Sequence, residues 1–255
     1  MTRLEKRLLS QVGRASRDFL LLEPNDRVMV GLSGGKDSYA MCHLLHQIQK
    51  RAPFKFSLIA VNLDQGQPGF KQEVISDWCE ERGYQHKMLS QDTYSVVLKK
   101  VPEGKTYCSL CSRMRRGALY KAAGELDATK IALGHHRDDL IETLLLNIFY
   151  SGQIKSMAPR LRSDDRQNII IRPLTYCDEG ELTAFSAEQA FPILPCDLCG
   201  SQENLKRKQI KRMVAKLHSE NDNIKGNLFA SLSNIRPTHL LDPSLRSRET
   251  LEPIG

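Results

Sequence analysis

The sequence predicts an α/β fold with a doubly wound, mainly parallel β-sheet, and three observations support this prediction. Short apolar runs rich in β-branched residues alternate with amphipathic stretches of helix length, as in successive strand–helix–strand units. A glycine-rich hexapeptide, SGGKDS at residues 33–38, directly follows the first of these runs. The chain has 255 residues, 40% of them apolar and 26% charged, which is enough for one such domain with a substantial core.

The predicted elements begin with a helix. Apolar residues from Leu4 to Leu22 are spaced by three or four positions, which places them on one face of an N-terminal helix. The other predicted elements are strands at 27–32, 56–63, 84–89, 130–134 and 168–174, and helices at 37–50, 71–82, 138–150, 179–190 and 201–219. A further helix, ending near Glu125, follows a turn that contains glycine and proline.

We divide the chain into three segments. The N-terminal helix occupies residues 1–24, the α/β domain residues 25–177, and a basic, helical C-terminal region residues 178–255. The prolines and the scarcity of apolar residues after Arg236 are compatible with a disordered tail.

The net charge of +7 favours a polyanionic partner, because lysine and arginine neutralise phosphates and release counterions. Basic residues concentrate in two places: Arg113, Arg115 and Arg116, and then Lys206, Arg207 and Lys208. A solvated helix face is the alternative interpretation of either stretch alone. Both stretches lie close in sequence to cysteines, which favours a surface that follows phosphates around one site.

We expect a cytoplasmic protein that does not associate with membranes. No run approaches the roughly 18 apolar residues that a membrane span requires. Charged residues interrupt the leucines near the start, so this segment lacks the apolar stretch of a signal peptide. In a reducing compartment the seven cysteines are not expected to form a disulfide framework.

The hexapeptide at residues 33–38 has the composition of a phosphate-binding loop. Gly34 and Gly35 let backbone N–H groups approach an anion closely, and the following helix adds the positive end of its dipole. Lys36 supplies a cation, and Asp37 is suited either to cap the helix or to reach a Mg²⁺ ion. The hydroxyl groups of Ser33 and Ser38 are further candidate contacts.

Two better-known nucleotide motifs do not fit this loop. A Walker A loop requires glycine where Val30 stands, and it does not place an aspartate directly after the lysine. The dinucleotide pattern G-x-G-x-x-G is absent. A merely structural glycine turn is the remaining alternative.

Four of the cysteines form two C-x-x-C pairs, Cys108 with Cys111 and Cys196 with Cys199. Such pairs are typical of a zinc site, an iron–sulfur cluster or a redox pair. By spacing alone structural zinc is favoured, although the intervening 84 residues are many for a small zinc ribbon. The other three cysteines, Cys42, Cys79 and Cys177, are interpreted as packing residues.

The segment GHHRDD at residues 134–139 follows a predicted strand, where ligand sites of α/β proteins form. Asp138 or Asp139 is suited to cap the next helix. His135 and His136 have the composition of zinc ligands, but we interpret them as positioning groups.

The hexapeptide resembles the SGGxDS signature of the PP-loop ATP pyrophosphatases. The segments YCSLCSRMRRGALY and PCDLCGSQENLKR, together with SGGKDS and LGHHRDD, are similar to the tRNA 2-thiocytidine synthetases (the TtcA family) within that group. The resemblance implies an adenine nucleotide α-hydrolase-like fold, and an enzyme that thiolates the position-32 cytidine of the anticodon loop. It also implies ATP, Mg²⁺ and a [4Fe–4S] cluster with three cysteine ligands.

The resemblance carries over residue by residue. It implies ATP contacts at Ser33, Gly34, Gly35, Lys36, Asp37, Ser38 and Asp64, catalytic roles for Lys36, Asp37 and Asp139, and cluster ligation by Cys108, Cys111 and Cys199. The choice of Cys199 over Cys196 stays open. A cysteine desulfurase is the expected sulfur source, tRNA is the expected partner, and a homodimer is allowed.

Three alternatives remain from the sequence. A PP-loop enzyme that thiolates uridine shares most of these features. A PP-loop amidase or synthetase that uses nitrogen needs no cluster. A zinc-bearing RNA-binding protein leaves the glycine loop unexplained.

Overall fold

The structure, a computed structural model, describes residues 1–66, 69–96, 108–163, 165–194 and 202–245. For Cys108 and Cys111 it describes the backbone only. By contacts, Met1–Ile210 form one compact unit and Lys211–Gly255 a second. The domain limits at residues 24 and 177 stay a prediction.

The larger unit contains a six-stranded sheet. Its strands are β1 (Arg27–Gly31), β2 (Ser57–Asp64), β3 (His86–Ser90), β4 (Lys130–Ala132), β5 (Arg160–Arg162) and β6 (Ile169–Ile171), in the order β3-β2-β1-β4-β6-β5. All neighbours pair in parallel except β5, which is antiparallel to β6. The predicted mainly parallel sheet is therefore confirmed.

The helices flank and follow this sheet. They are α1 (Arg3–Phe19), α2 (Lys36–Gln49), α3 (Gln72–Glu81), α4 (Cys108–Glu125), α5 (Arg137–Ser151), α6 (Glu179–Glu188), α7 (Gln202–Glu220) and α8 (Ile224–Ser231). Within these elements, no helix is long and apolar enough to span a membrane.

The sheet is buried on both faces because consecutive residues of a strand point in opposite directions. On β1, Val28 and Val30 pack in a core cluster with residues of α1, α2, α3 and α6. Met29, between them, packs on the other face with Ala122 and Ala123 of α4. The near-continuous apolar runs of the central strands follow from this double coverage.

The strand order places a topological switch point beside β1. From β1 the chain proceeds outward to β2 and β3, and then returns to form β4 on the other side of β1. The two connections diverge at this point, which leaves a crevice at the carboxyl ends of β1 and β4. Residues 33–38 follow β1 and residues 134–139 follow β4, so both predicted segments border this crevice.

The edge strand β5 and helix α8 were missed by the sequence analysis. β5 has three residues with an arginine at each end, and its pairing partner β6 lies only a few residues further along the chain. A strand this short has no recognisable period, so only pairing with β6 defines it.

Candidate active site at the switch point

The loop after β1 is held by hydrogen bonds from β2 and from its own serines. The side-chain amide of Asn62 donates to the carbonyl oxygen of Leu32 (2.7 Å), and Asn62 is fully buried. The Ser38 hydroxyl donates to the Gly35 carbonyl (2.8 Å) and accepts from the backbone N–H of Ser33 (3.1 Å). Ser38 therefore shapes the loop from inside.

Gly34 has a backbone conformation that requires glycine. Its φ is +83°, in the left-handed region, and a Cβ there would lie 3.0 Å from Cδ1 of Leu194. The backbone N–H of Leu194 also donates to the Gly34 carbonyl oxygen (2.9 Å). The loop and the segment before the second cysteine pair are therefore in direct contact.

The segment that ends at Leu194 is anchored in the core by Phe191. The ring of Phe191 is buried and lies 5.7–5.8 Å, between centroids, from the rings of Phe185, Tyr39 and Trp78. Aromatic pairs at this separation add to the burial energy. The predicted ligand Cys199, like Cys196, lies outside the residues that the structure describes.

The first two residues of α2 form an ion pair at the loop. Nζ of Lys36 lies 2.8 and 3.0 Å from the two carboxylate oxygens of Asp37, and 3.6 Å from Oε1 of Glu179. All three side chains are partly exposed. The charges predicted to meet ATP and Mg²⁺ are therefore present, together and accessible.

Gly134 brings the segment after β4 against this loop. A Cβ at Gly134 would lie 3.2 Å from the backbone of Asp37 and Ser38, so a larger residue would push the two segments apart. Nε2 of His136 then lies 3.9 Å from Oδ2 of Asp37. These contacts bring the two motifs together at the crevice.

The neighbouring aspartates Asp138 and Asp139 cap different helices. The Asp139 carboxylate accepts from the backbone N–H of His136 (3.1 Å) at the start of α5. The buried Asp138 carboxylate instead accepts from the backbone N–H of Glu179 (2.9 Å), at the start of α6. Each cap satisfies a donor that a helix leaves unpaired.

Three helices consequently begin at the crevice. The contacts of Lys36 with Glu179, of Glu179 with Asp138, and of His136 with Asp37 join the N-termini of α2, α5 and α6. Helix N-termini carry partial positive charge and donors without intrahelical partners. The arrangement is suited to hold a polyphosphate.

Arg207 of α7 reaches this region from the C-terminal part of the chain. Its Nη1 lies 3.3 Å from Oδ1 of Asp139 and 3.0 Å from Oε2 of Glu142, and the Glu142 side chain is only 9% exposed. Arg207 therefore has carboxylate partners. Of the three consecutive basic residues expected to bind phosphates, Arg207 is held in place by ion pairs with described carboxylates.

His135, which is half-buried, and Arg172, which is buried, lie close to the same crevice. Burial, together with the charge of Arg172, lowers the pKa of His135 to about 4. Burial also lowers the pKa of the Arg172 guanidinium, which is 9% exposed. His135 is therefore neutral at physiological pH, with one imidazole nitrogen available as an acceptor.

The first cysteine pair lies at the beginning of α4, with Cys111 one turn after Cys108. Cys42, Cys79 and Cys177 are buried, and burial raises the pKa of each thiol, that of Cys79 to about 11. Neutral, buried thiols are poor metal ligands. Among the side chains that the structure describes, no three histidines, cysteines or carboxylates are grouped to hold a metal.

Asp64 is the last residue of β2, and β1 lies between β2 and β4 in the sheet. Its Oδ1 accepts from the backbone N–H of Gly66 (2.8 Å), which starts a turn at the rim of the sheet. The described residues therefore include every predicted ATP contact, from Ser33 to Ser38 together with Asp64. Leu194 and Glu179 were missed, because nothing in the sequence links such distant segments to the loop. Arg207 was expected to bind phosphates, and its carboxylate partners were missed for the same reason.

The sheet topology and the loop after β1 are characteristic of one group of proteins. A parallel sheet with a switch point, an SGGKDS loop after β1 and a GHHRDD segment after β4 is the architecture of a PP-loop nucleotide-binding protein. The family model described as a PP-loop domain matches residues 4–218. A solved structure of the U34-tRNA thiolase NcsA from Methanococcus maripaludis, with its [4Fe–4S] cluster, has the same fold. Its TM-score is 0.70 at 24% identity, covering 91% of this chain and 81% of that one.

The sequence relatives are more specific. A tRNA-cytidine(32) 2-sulfurtransferase from Sorangium cellulosum is 54% identical over 98% of this chain and 88% of its own. One from an Anaeromyxobacter species (strain K) is 56% identical over 95% of this chain and 84% of its own. The chain belongs to this family of PP-loop tRNA-cytidine(32) 2-sulfurtransferases, which confirms the resemblance seen in its motifs.

Proposed function

We propose that this chain is an ATP-dependent transferase that replaces the 2-oxo group of the position-32 cytidine of tRNA with sulfur. Family membership supports the reaction and the substrate, since relatives of this name are 54% and 56% identical to it over the aligned residues. The structural observation that carries the proposal is the contact of Leu194 with Gly34. It connects the loop that activates the base to the segment that leads into the second cysteine pair.

The first half of the proposed reaction is adenylation. The cytidine O2 attacks the α-phosphorus of ATP, pyrophosphate leaves, and C2 of the base becomes electrophilic. Lys36 and the convergent helix N-termini stabilise the charge that develops on the phosphates. We assign Mg²⁺ to the Asp37 carboxylate, which is 28% exposed and adjacent to the loop.

The second half is sulfur transfer, in which sulfur takes the place of O2 on C2 and AMP leaves with the oxygen. The donor set fits a [4Fe–4S] cluster, because α4 begins with two cysteines one turn apart and the second pair follows Leu194. We propose Cys108, Cys111 and Cys199 as its three ligands. Such a cluster, when bound, supplies an iron position that no cysteine occupies and that sulfur can take.

The remaining assignments follow from the same proposal. Asp139 holds the start of α5 and Arg207 in position beside the loop, and Asp64 lies at the adenosine side. We expect sulfur to come from a cysteine desulfurase in the cytoplasm, where reducing conditions keep the thiols free. A homodimer is compatible with these roles.

The test is analysis of thiolated nucleosides. Protein purified without oxygen is incubated with unmodified tRNA, ATP, Mg²⁺ and a sulfide source, and the digested tRNA is analysed by mass spectrometry. We expect 2-thiocytidine, formed only when ATP is present. Formation of 2-thiouridine instead would establish the uridine alternative, and stoichiometric zinc without thiolation would establish an RNA-binding protein.

A further inference from the structure

The C-terminal end of α5 exposes large apolar side chains. Ile148, Phe149, Tyr150 and Ile154 are 40%, 55%, 49% and 69% exposed, and we call them the α5 patch. One turn earlier, Leu144 and Leu145 are buried. Consecutive helical residues point about 100° apart, so three exposed apolar residues in sequence mean that the helix end projects into solvent.

Hydrogen bonds close the turn that follows the helix. Gly152 ends α5 in the left-handed conformation, with φ +62°. The carbonyl oxygen of Asn147 accepts from the backbone N–H of Gln153 (3.1 Å). The side-chain amide of Asn147 donates to the carbonyl oxygen of Lys155 (2.9 Å). Ile154 lies between the two residues that these hydrogen bonds hold, and its side chain is exposed.

Positive charge lies directly beside the patch. Nζ of Lys206 is 4.3 Å from the centroid of the Tyr150 ring, and the Tyr150 hydroxyl donates to Oε1 of Gln209 (3.4 Å). Lys208 is exposed on the same helix, whereas Arg207 holds that helix to α5 through Asp139 and Glu142. Exposed rings next to lysines are what proteins use to bind single-stranded nucleic acid, by base stacking and phosphate contacts.

The patch also lies within reach of the reaction site along the same helix. Asp139, at the start of α5, is joined to the ATP loop through His136 and Asp37. Tyr150 is eleven residues further on, which corresponds to about 16 Å along the helix axis. A few nucleotides of an unpaired strand span this distance.

We propose that the α5 patch binds unpaired bases of the tRNA anticodon loop that flank the target cytidine. Phe149 and Tyr150 stack on these bases, and Lys206 contacts the adjoining phosphate. The inference rests on the proposed tRNA substrate and assigns it a surface. An apolar face of this kind also suits contact with a second copy of the chain, so the experiment must separate base stacking from self-association.

The discriminating variant is Phe149→Leu, which removes the flat ring but keeps most of the apolar surface. The matched control is Leu20→Ala, which truncates a side chain that is 60% exposed at the end of α1. Binding of the full-length protein to unmodified tRNA is measured by fluorescence anisotropy at one fixed salt concentration. Sedimentation velocity at the same protein concentrations reports self-association, and ATP affinity and thermal unfolding report the fold.

We expect Phe149→Leu and Tyr150→Ala each to raise the Kd for tRNA roughly 5- to 100-fold, the usual effect of losing one stacked base. Leu20→Ala, ATP affinity and the sedimentation coefficient should not change. Unchanged tRNA affinity in both patch variants overturns the inference and leaves the proposed function intact. A patch variant that becomes monomeric and recovers normal tRNA affinity when crosslinked as a dimer also overturns it, in favour of a subunit interface. Wild-type protein that does not bind tRNA overturns the proposed function itself.

Discussion

The backbone N–H of Leu194 donates a hydrogen bond to the carbonyl oxygen of Gly34 over 2.9 Å. The two residues are 160 positions apart, and each adjoins a motif of the proposed reaction. Gly34 belongs to the loop for ATP, and Cys196 follows Leu194 after one residue. A backbone hydrogen bond therefore joins the loop to the residues directly before the second cysteine pair.

Replacing Gly34 by alanine should destabilise the protein by about 1–3 kcal/mol, because alanine resists a positive φ. The new Cβ would also lie 3.0 Å from Leu194. Gly35→Ala is the control, since Gly35 has a φ of −85° and a Cβ there would lie 3.6 Å from its nearest neighbour, Oγ of Ser33. Thermal unfolding of both variants checks this. Equal melting temperatures for the two would contradict the strain argument.

Lys36→Ala and Asp37→Ala should each abolish ATP-dependent thiolation while the protein remains folded. Their ion pair is partly exposed, and pairs of this kind stabilise a fold by about 0–1 kcal/mol. Activity is measured as 2-thiocytidine formed per tRNA, and folding by thermal unfolding. Lys50→Ala, at the other end of α2, is the control and should be active. Full activity in both loop variants would remove ATP from this loop.

The affinity for tRNA should fall with salt, with a logarithmic slope of roughly 0.7 to 0.9 per phosphate contact. Lys208→Gln should reduce that slope by about one contact, because Lys208 is exposed. Arg207→Gln should chiefly lower the free energy of unfolding, because it removes the cation that lies 3.0 Å from the buried carboxylate of Glu142. Anisotropy titrations over a series of KCl concentrations, with urea unfolding in parallel, separate the two effects. A slope that no lysine variant changes would show that α7 is only a solvated face.

Cys108→Ser, Cys111→Ser and Cys199→Ser should each lose the cluster and activity, and Cys196→Ser should be milder. Three thiolates leave one iron position open, whereas four would saturate the cluster. Cys79→Ala is the control, since its buried thiol has a pKa raised to about 11 and should not bind iron. Iron and sulfide content with an absorption spectrum, after anaerobic purification, checks this. Four cysteine ligands in the active enzyme would contradict the mechanism, and an inactive Cys196→Ser with an active Cys199→Ser would exchange those two assignments.

His135 should make the protein less stable in mild acid. Its pKa is about 4 in the folded protein and 6.5 for an unperturbed histidine, so the unfolded chain binds the additional proton first. The stability from neutral His135 is complete above pH 6.5 and is lost as the pH falls towards 4. The loss between pH 7 and pH 5 is about 2 kcal/mol, from the shift in pKa at about 1.4 kcal/mol per unit. Urea unfolding at both pH values should show a smaller loss in His135→Gln, and an equal loss would assign the effect to other groups.

Most of the helices and strands, and the chemistry that lies within short segments, could be predicted from the sequence. Strand–helix alternation predicted the parallel sheet, and the β1 residues Val28, Met29 and Val30 are buried on both sides as a doubly covered strand requires. The loop at residues 33–38 was predictable because its glycines, lysine and hydroxyls act within one turn of chain. The family of the protein was predictable from motifs that are equally short.

The contacts between groups that are distant in sequence depend on how the chain folds, and could not be predicted from local patterns. The two neighbouring aspartates look equivalent in sequence, but Asp138 caps α6 and Asp139 caps α5, because successive helical positions face different neighbours. Three consecutive basic residues likewise separate into Arg207, held by Asp139 and Glu142, and two exposed lysines. The strand β5 and the contact of Leu194 with Gly34 depend on pairing across space. A local sequence pattern indicates which interactions a residue can make, whereas packing and strand order determine which partner it contacts.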